Sequence, residues 1–423
     1  MTAPNSSDPA PPAQPGGAFA PFAFPAFRAI WIANLFSSLG SVIQSVAAAW
    51  LMTELTTSHQ LIALVQASAT IPIMLLGLFA GAIADNFDRR RVMLAAQSGM
   101  LVVSAALAVM SEAGAITPVL LLCFTFAVGA GTALNSPAWQ ASVRLQVGPE
   151  HLPQAISLNT VAFNLARSVG PALGGAMLLL ASPAAAFAIN AVSYLAMIAV
   201  LVWWQPEATA PQREPLLASV ATGLRFAFRS PPILRVLVRG LSFGFGAAGY
   251  QALVPALTRE QFHGGEMAFG LLLGAFGLGS ILAAIKVSAL RRRWGSERAM
   301  AAATLLFIAA LLVLARTSQL GWALPATFVA GAGWVTGMTS LNVAMQLRSP
   351  EAILGRCLSL YQAVTFGGMA LGAWCWGFVS DHAGLTAALY GAAGFLAVTL
   401  VVLHRFAPMP GRGEGRIDPA PTP

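Results

Sequence analysis

The sequence predicts an all-α membrane protein with twelve transmembrane helices in two pseudo-symmetric six-helix bundles. Three observations predict it: scarcity of charge, length of the apolar runs, and partial repetition of the first half in the second. Of 423 residues, 57% are hydrophobic and 9% charged, and the mean hydropathy is +0.73. A water-soluble domain carries about a quarter charged residues, so this chain cannot cover itself with a wetted surface and lipid must be its main solvent. Many of its 40 glycines sit inside apolar runs, as in membrane helices that pack closely.

Crossing about 30 Å of hydrocarbon takes about twenty residues of helix. Twelve such runs occur, at roughly 28–53, 61–84, 92–111, 116–138, 154–180, 184–204, 234–257, 267–290, 299–315, 321–345, 354–380 and 384–404. Inside lipid every backbone polar group must be paired within the protein, which for runs of this length means helix.

Before the first run, residues 1–27 are rich in Pro, Ala and Gly and carry no Lys or Arg, so they lack the basic n-region of a secretory signal. They read as a disordered cytoplasmic tail. Residues 28–204 form the first bundle. The stretch 205–233 carries Pro206, Pro211 and Pro215, then an amphipathic piece with Arg225 and Arg229, and reads as a cytoplasmic linker with an amphipathic helix. Residues 234–405 form the second bundle, and 406–423 a second disordered cytoplasmic tail.

The chain has 23 basic residues, Lys286 being its one lysine, and a net charge of +8. The arginines gather between apolar runs rather than in a patch, which marks topology and not nucleic-acid binding. With the N-terminus inside, Arg28, Arg89 to Arg91, Arg144, Arg213, Arg225, Arg229, Arg235, Arg239, Arg291 to Arg293, Arg298, Arg348, Arg356, Arg405, Arg412 and Arg416 fall on the cytoplasmic side, while Arg259 and Arg316 fall outside. This asymmetry predicts cytoplasmic N- and C-termini and a multi-pass place in the inner (plasma) membrane.

The halves repeat each other. At an offset of 207, Arg28 meets Arg235, Gln44 meets Gln251, Arg91 meets Arg298 and Met93 meets Met300. At 201–202, Pro149-Glu150 meets Pro350-Glu351, Ser157-Leu158 meets Ser359-Leu360, and Gly170 meets Gly372. A duplicated six-span half is the layout expected of an alternating-access transporter.

Two motifs stand out. Between spans two and three runs Gly81-Ala-Ile-Ala-Asp85-Asn-Phe-Asp88-Arg89-Arg90-Arg91. In span five stands Gly170-Pro171-Ala-Leu-Gly174-Gly175, in which Pro171 removes a helix hydrogen bond and the small residues admit a close partner helix. The first resembles the G-x-x-x-D-x-x-x-R-[RK] loop of the major facilitator superfamily through Gly81, Asp85, Arg89 and Arg90. The second resembles the G-P-x-x-G-G core that marks exporters of that superfamily, with Ala166 in place of the usual preceding glycine. The whole chain is similar to the branch that includes enterobactin-type siderophore exporters and macrolide-type efflux proteins. The resemblance implies the major facilitator fold, a loop that latches the bundles in one conformation, and efflux by proton antiport. The second half departs from the loop pattern: Arg292 faces Asp85 and Glu297 faces Arg90, so the latch is not symmetric.

Candidate cavity residues follow. Arg167 lies about 20 Å into span five at 1.5 Å per residue, where a charge needs a partner or a wet cavity; it either attracts an anionic or polyphenolic substrate group or bonds carbonyls around the kink. Lys286, near the end of span eight, reaches the headgroups. Span one has a polar stripe, Asn34, Ser37, Ser41, Gln44 and Ser45; span seven offers Tyr250 and Gln251; span eleven offers Tyr361, Gln362 and Thr365. Helix-to-helix hydrogen bonds explain such groups as well as a cavity does. No Asp or Glu lies mid-span: Glu54, Glu112 and Asp381 fall near outer ends and Asp85 at the inner face, so proton coupling is what the resemblance implies and not a reading of these residues.

The expected function is a secondary-active exporter of small amphipathic organic molecules, with a dedicated siderophore or anionic-metabolite exporter as the alternative and an importer of the same fold as a second. The expected partners are a small-molecule substrate, the lipid bilayer and protons, with the chain acting as a monomer. Cys123, Cys357 and Cys375 lie in apolar runs and the five histidines are scattered, so neither a metal nor a cofactor is expected. No P-loop or nucleophile motif points to an enzyme or an ATP-driven pump.

Overall fold

The computed structural model describes residues 17, 19–206, 216–350 and 353–410. The tail residues 1–16 and 411–423, the linker residues 207–215 and Glu351 of the repeat lie outside the described residues. Among those described there are helices and turns but no strand.

The first bundle consists of α1 (Pro25–Leu55), α2 (His59–Asn86), α3 (Arg89–Glu112), α4 (Pro118–Ser142), α5 (Leu152–Leu180) and α6 (Pro183–Trp203). Their starts follow local chemistry. Ser58, Asp88, Thr117 and Ser182 each accept a backbone N–H three residues on, satisfying a donor that has no helical partner. Pro25, Pro118 and Pro183 occupy first turns, where no N–H is needed.

The linker contributes α7 (Leu216–Arg229). The second bundle consists of α8 (Pro231–Gln251), the short turn α9 (Val254–Ala256), α10 (Glu266–Arg316), α11 (Leu320–Arg348), α12 (Leu354–Ala383) and α13 (Leu385–Phe406). Among the described residues nine helices are long and apolar enough to cross a bilayer. One of them, α10, has 51 residues and divides into two arms at Gly295 (φ 83°, ψ 166°). The sequence places a loop at 291–298; a single glycine in the left-handed region, which other residues avoid, turns the chain there instead. α8 and α11 are long but less apolar, and both pack within the second bundle. The arrangement is consistent with twelve crossings.

Inside the first bundle α1 packs on α5 and α6, α3 on α4 and α6, and α2 on α4; inside the second, α8 packs on α12 and α10 on α11 and α13. The bundles meet chiefly along α2 with α12 and α5 with α10. The molecule therefore has an arginine-rich end, where the α2–α3 turn, α7 and the second end of α13 lie, and an arginine-poor end, where α1 runs into α2.

Parts of both expected tails are structured. Residues 20–23 form a 3₁₀ turn, and Phe22 packs edge-on against Phe27 and Trp31 at centroid distances of 5.7 and 5.0 Å, because aromatic rings leave water for a core rather than join a tail. Residues 407–410 are bonded to the second bundle, as described below.

Candidate functional site between the bundles

At the arginine-rich end, Asp88 caps α3 by accepting from Arg91 N–H (2.9 Å). Arg89 donates to the Ala141 carbonyl at the end of α4 (3.0 Å), and Arg90 donates to the Leu201 and Val202 carbonyls at the end of α6 (2.7 and 3.1 Å). Both arginines thus cap helix C-termini of their own bundle, where cations are favoured. Gly81 faces Ser359 of α12 across the bundle boundary at 3.8 Å from a built Cβ. Asp85 lies on α2, and its side chain is outside the described residues.

The second bundle uses another device at this end. Arg239, 4% exposed on α8, donates to Glu297 Oε1 (2.9 Å), Leu403 O (2.9 Å) and Ala407 O (2.7 Å). Glu297 also takes the Met409 N–H (2.6 Å) on Oε2 and lies 2.8 Å from His404 Nδ1. Arg348 donates to the Pro410 carbonyl (3.0 Å). Charge-assisted bonds of this kind are about twice as strong as neutral ones, and they fasten residues 407–410 across the bundle.

The α5 motif sits between two neighbours. A Cβ added to Gly170 or Gly174 would meet Val42 or Val46 of α1 at 2.7 and 2.8 Å. Gly175 lies backbone to backbone with Gly270 of α10: a Cβ on Gly270 would stand 3.0 Å from the Gly175 Cα. Without side chains at these positions α5 approaches α1 and α10 at once. α5 is helical through Pro171.

Arg167 occupies the middle of α5, half-buried, and reaches across to the second bundle. Its guanidinium carbon lies 5.5 Å from the Phe163 ring centroid and 5.9 Å from that of Trp334 on α11, within cation–π range. Tyr361 of α12 is close enough to interact with its charge, while the Tyr361 hydroxyl donates to the Met338 carbonyl (3.4 Å). Among the described residues Arg167 has neither a carboxylate nor a carbonyl partner.

The polar stripe of α1 turns mostly the other way. Gln44, 4% exposed, accepts from Ser104 Oγ (2.8 Å) and Asn190 Nδ2 (2.7 Å). Ser41 Oγ and Tyr194 Oη are 3.1 Å apart, and Asn190 Nδ2 also donates to Tyr194 Oη (3.0 Å). This network ties α1, α3 and α6 together inside the first bundle, so Gln44 and Ser41 do not join Arg167. Tyr250 stacks on Phe276 (5.7 Å) within the second bundle, and the amide nitrogen of Gln251 is buried without a hydrogen-bond partner among the described residues. Asn34 and Gln362 are half-buried.

At the arginine-poor end the bundles are joined by polar bonds that sequence reasoning missed. Ser58 Oγ donates to Asp381 Oδ2 (2.7 Å) and His59 N–H to Asp381 Oδ1 (2.5 Å), so a carboxylate of α12 caps α2 of the other bundle. His59 Nε2 lies 2.9 and 2.8 Å from the two Glu260 oxygens, and its Nδ1 lies 2.8 Å from Ser380 Oγ. Arg259 donates to the Thr53 carbonyl, and Trp50 of α1 stacks on Phe269 of α10 at 5.2 Å. A cavity of about 870 Å³ beside them is lined by both bundles, including Thr53, Glu54, His59, Arg259 and Glu260. The signal available in the sequence was weak: three isolated polar residues at helix ends, far apart in the chain.

The family described as transmembrane secretion effector matches residues 16–418. An enterobactin exporter of Shigella boydii serotype 4 (strain Sb227) is 28% identical over 406 residues, covering 91% of this chain and 94% of that one. The multidrug efflux pump Tap of Mycolicibacterium fortuitum is 26% identical over 388 residues, covering 88% and 92%. In fold, the chain is similar to a bacterial homologue of the human lysosomal transporter Spinster, crystallised inward-facing and occupied, with a TM-score of 0.72 at 14% identity over 95% of this chain and 99% of that one.

Proposed function

Since this chain belongs to the transmembrane secretion effector family of the major facilitator superfamily, and is thereby a multi-pass membrane transporter and not an enzyme, we propose that it exports small amphipathic organic molecules bearing an anionic group. The observation that carries this reading is Arg167: a cation in mid-membrane, set between the bundles, with aromatic rings around it and no acidic partner among the described residues. A guanidinium kept out of water without a counter-ion is costly, and an anion arriving from solution relieves that cost. The exposed ring of Phe163 offers a flat apolar surface to an aromatic substrate, while Trp334 and Tyr361 are buried beside Arg167. A catecholate or similar anion suits both features, in keeping with the enterobactin exporter among its relatives.

In this reading the arginine-rich end faces the cytoplasm with both chain termini, the host is the bacterial inner membrane, and transport runs by alternating access driven by protons. The positive-inside asymmetry supports the orientation. The closed arginine-poor end supports a state open toward the substrate's side.

The test is a thermal-stability and flux experiment on the purified chain with catecholates, other organic anions and lipophilic cations. A ligand that binds the folded state adds about 2.7 kcal/mol at a hundredfold excess over Kd. Catecholates or other anions should stabilise the protein, Arg167→Ala should abolish the effect at normal membrane expression, and inverted vesicles should accumulate the same ligand. Stabilisation by lipophilic cations that persists in Arg167→Ala moves the reading to multidrug efflux. Flux solely in the opposite direction makes the chain an importer.

A further inference from the structure

We propose that His59 is the proton-binding site that couples protonation to closure of the arginine-poor end, the bundles being joined there through its ring. The inference rests on the transporter reading above and adds to it a site for the counter-ion.

The hydrogen bonds define what one proton does. An ionised carboxylate only accepts, so Nε2 of His59, facing both Glu260 oxygens, carries a hydrogen. In neutral His59, Nδ1 then accepts from Ser380 Oγ–H across the 2.8 Å contact. When a proton from water binds Nδ1, the Ser380 hydroxyl turns round from donor to acceptor, and both ring contacts persist. The ring now bears a positive charge between two carboxylates, Glu260 at 2.8 Å and Asp381 at 4.0 Å. Other charged or titratable groups near the ring are Glu54 at the end of α1, Arg259, whose guanidinium is turned to the Thr53 carbonyl, and His382, which is turned to the Phe378 carbonyl. The balance around His59 is therefore negative when the end is closed.

The direction follows. Glu260 and Asp381 belong to the second bundle and His59 to the first, so separating the bundles takes both carboxylates away from the ring. The closed form then binds the proton more tightly than the open form, and by linkage the proton favours closure. Protonation of the ring therefore favours the closed form and its loss favours the open form. A proton entering from the arginine-poor side, through the cavity lined by His59 and Glu260, would close the end after a substrate had left. The His59 side chain is 13% exposed and that of Glu260 43%, so the ring is mostly covered while its carboxylate partner meets solvent.

The experiment measures spin-label distances in the full chain in nanodiscs, without substrate. Labels go on Ala115→Cys and Ser318→Cys, exposed loop positions of the two bundles at this end, with Cys123, Cys357 and Cys375 replaced by serine. Between about pH 8 and pH 5, the range that spans imidazole titration, the distance distribution should shift toward the closed population. His59→Gln should abolish the pH response, and Glu260→Gln should shrink it. Should His59→Gln fail to fold, Ser380→Ala and Glu260→Gln carry the test, each reducing the response. A parent protein whose distances ignore pH, or a His59→Gln protein that responds as the parent does, overturns the proposal. Flux is read separately in inverted vesicles: absent flux with an intact pH response removes the export reading and leaves the site, whereas flux with pH-blind distances removes the site and leaves export.

Discussion

Arg90 and Glu297 stand at matching places in the two bundles and carry opposite charges. They are 207 residues apart, and each bonds the end of the last helix of its bundle: Arg90 donates to the Leu201 and Val202 carbonyls at the end of α6, while Glu297 accepts the Met409 N–H just past α13. The duplicated architecture keeps the contact and inverts its polarity. In the first bundle a cation caps carbonyls. In the second, Arg239 takes over the carbonyls of Leu403 and Ala407, and an anion is then needed to balance it.

Glu297→Gln is expected to lower stability by about 1–3 kcal/mol, the range for losing a charged partner of a buried group, since it leaves the Arg239 guanidinium without its counter-charge. Arg90→Gln should cost less, about 0.3–1 kcal/mol, the worth of a charge at a helix terminus. Thermal unfolding in detergent separates the two.

Gly175→Ala is expected to open the arginine-poor end. The added methyl has the Gly270 backbone in its way, which cannot rotate aside, so α5 and α10 must separate. Gly274→Ala, whose new methyl meets Ala172 Cβ at an ordinary 3.7 Å, should be silent. Accessibility of a cysteine introduced at His263 to a membrane-impermeant maleimide should rise in the first variant and not in the second.

Arg167→Lys should keep part of the affinity for anionic ligands. It preserves the charge and loses the planar face that lies over Trp334, a change worth about 0.5–2 kcal/mol. Isothermal titration against a stabilising anion should therefore order the wild type, the lysine variant and Arg167→Ala in decreasing affinity.

Gln44→Leu should lower stability by about 0.6–1.7 kcal/mol, the measured scale for hydrogen bonds between membrane helices. Ligand affinity should stay unchanged, because the side chain bonds Ser104 and Asn190 inside the first bundle. A loss of affinity without a loss of stability would return Gln44 to the cavity.

The all-helical architecture was readable from the sequence, because hydrocarbon thickness and helix geometry impose lengths and periods that leave a direct trace. Arg167 was readable for a related reason: a charge in an apolar run is conspicuous. The orientation of Gln44 was not, since period alone fixes a stripe on α1 without saying whether α6 or the other bundle covers it. Asn190 and Tyr194, the partners that decide the matter, sit in a different run with no pattern linking them to span one. His59, Glu260 and Asp381 were least legible. They lie 201 and 322 residues apart, each looks like an ordinary helix-end residue, and their meeting depends on how two independently folded bundles dock. The turn at Gly295 was hidden because one residue in the left-handed region replaces the loop that a cluster of arginines suggested.

The fastening of residues 407–410 sets where the chain can be shortened. Arg239 and Glu297 complete their bonding through Ala407 and Met409, and Arg348 through Pro410, so the folded unit extends four residues past the end of α13. A stop codon placed after Pro410 leaves every one of these groups partnered. One placed after Phe406 removes the Ala407 carbonyl from Arg239, the Met409 N–H from Glu297 and the Pro410 carbonyl from Arg348, even though all helices remain encoded. A fluorescent protein or affinity handle joined directly to Phe406 would compete for the same groups, whereas one joined beyond Pro410 starts from a fixed point on the second bundle.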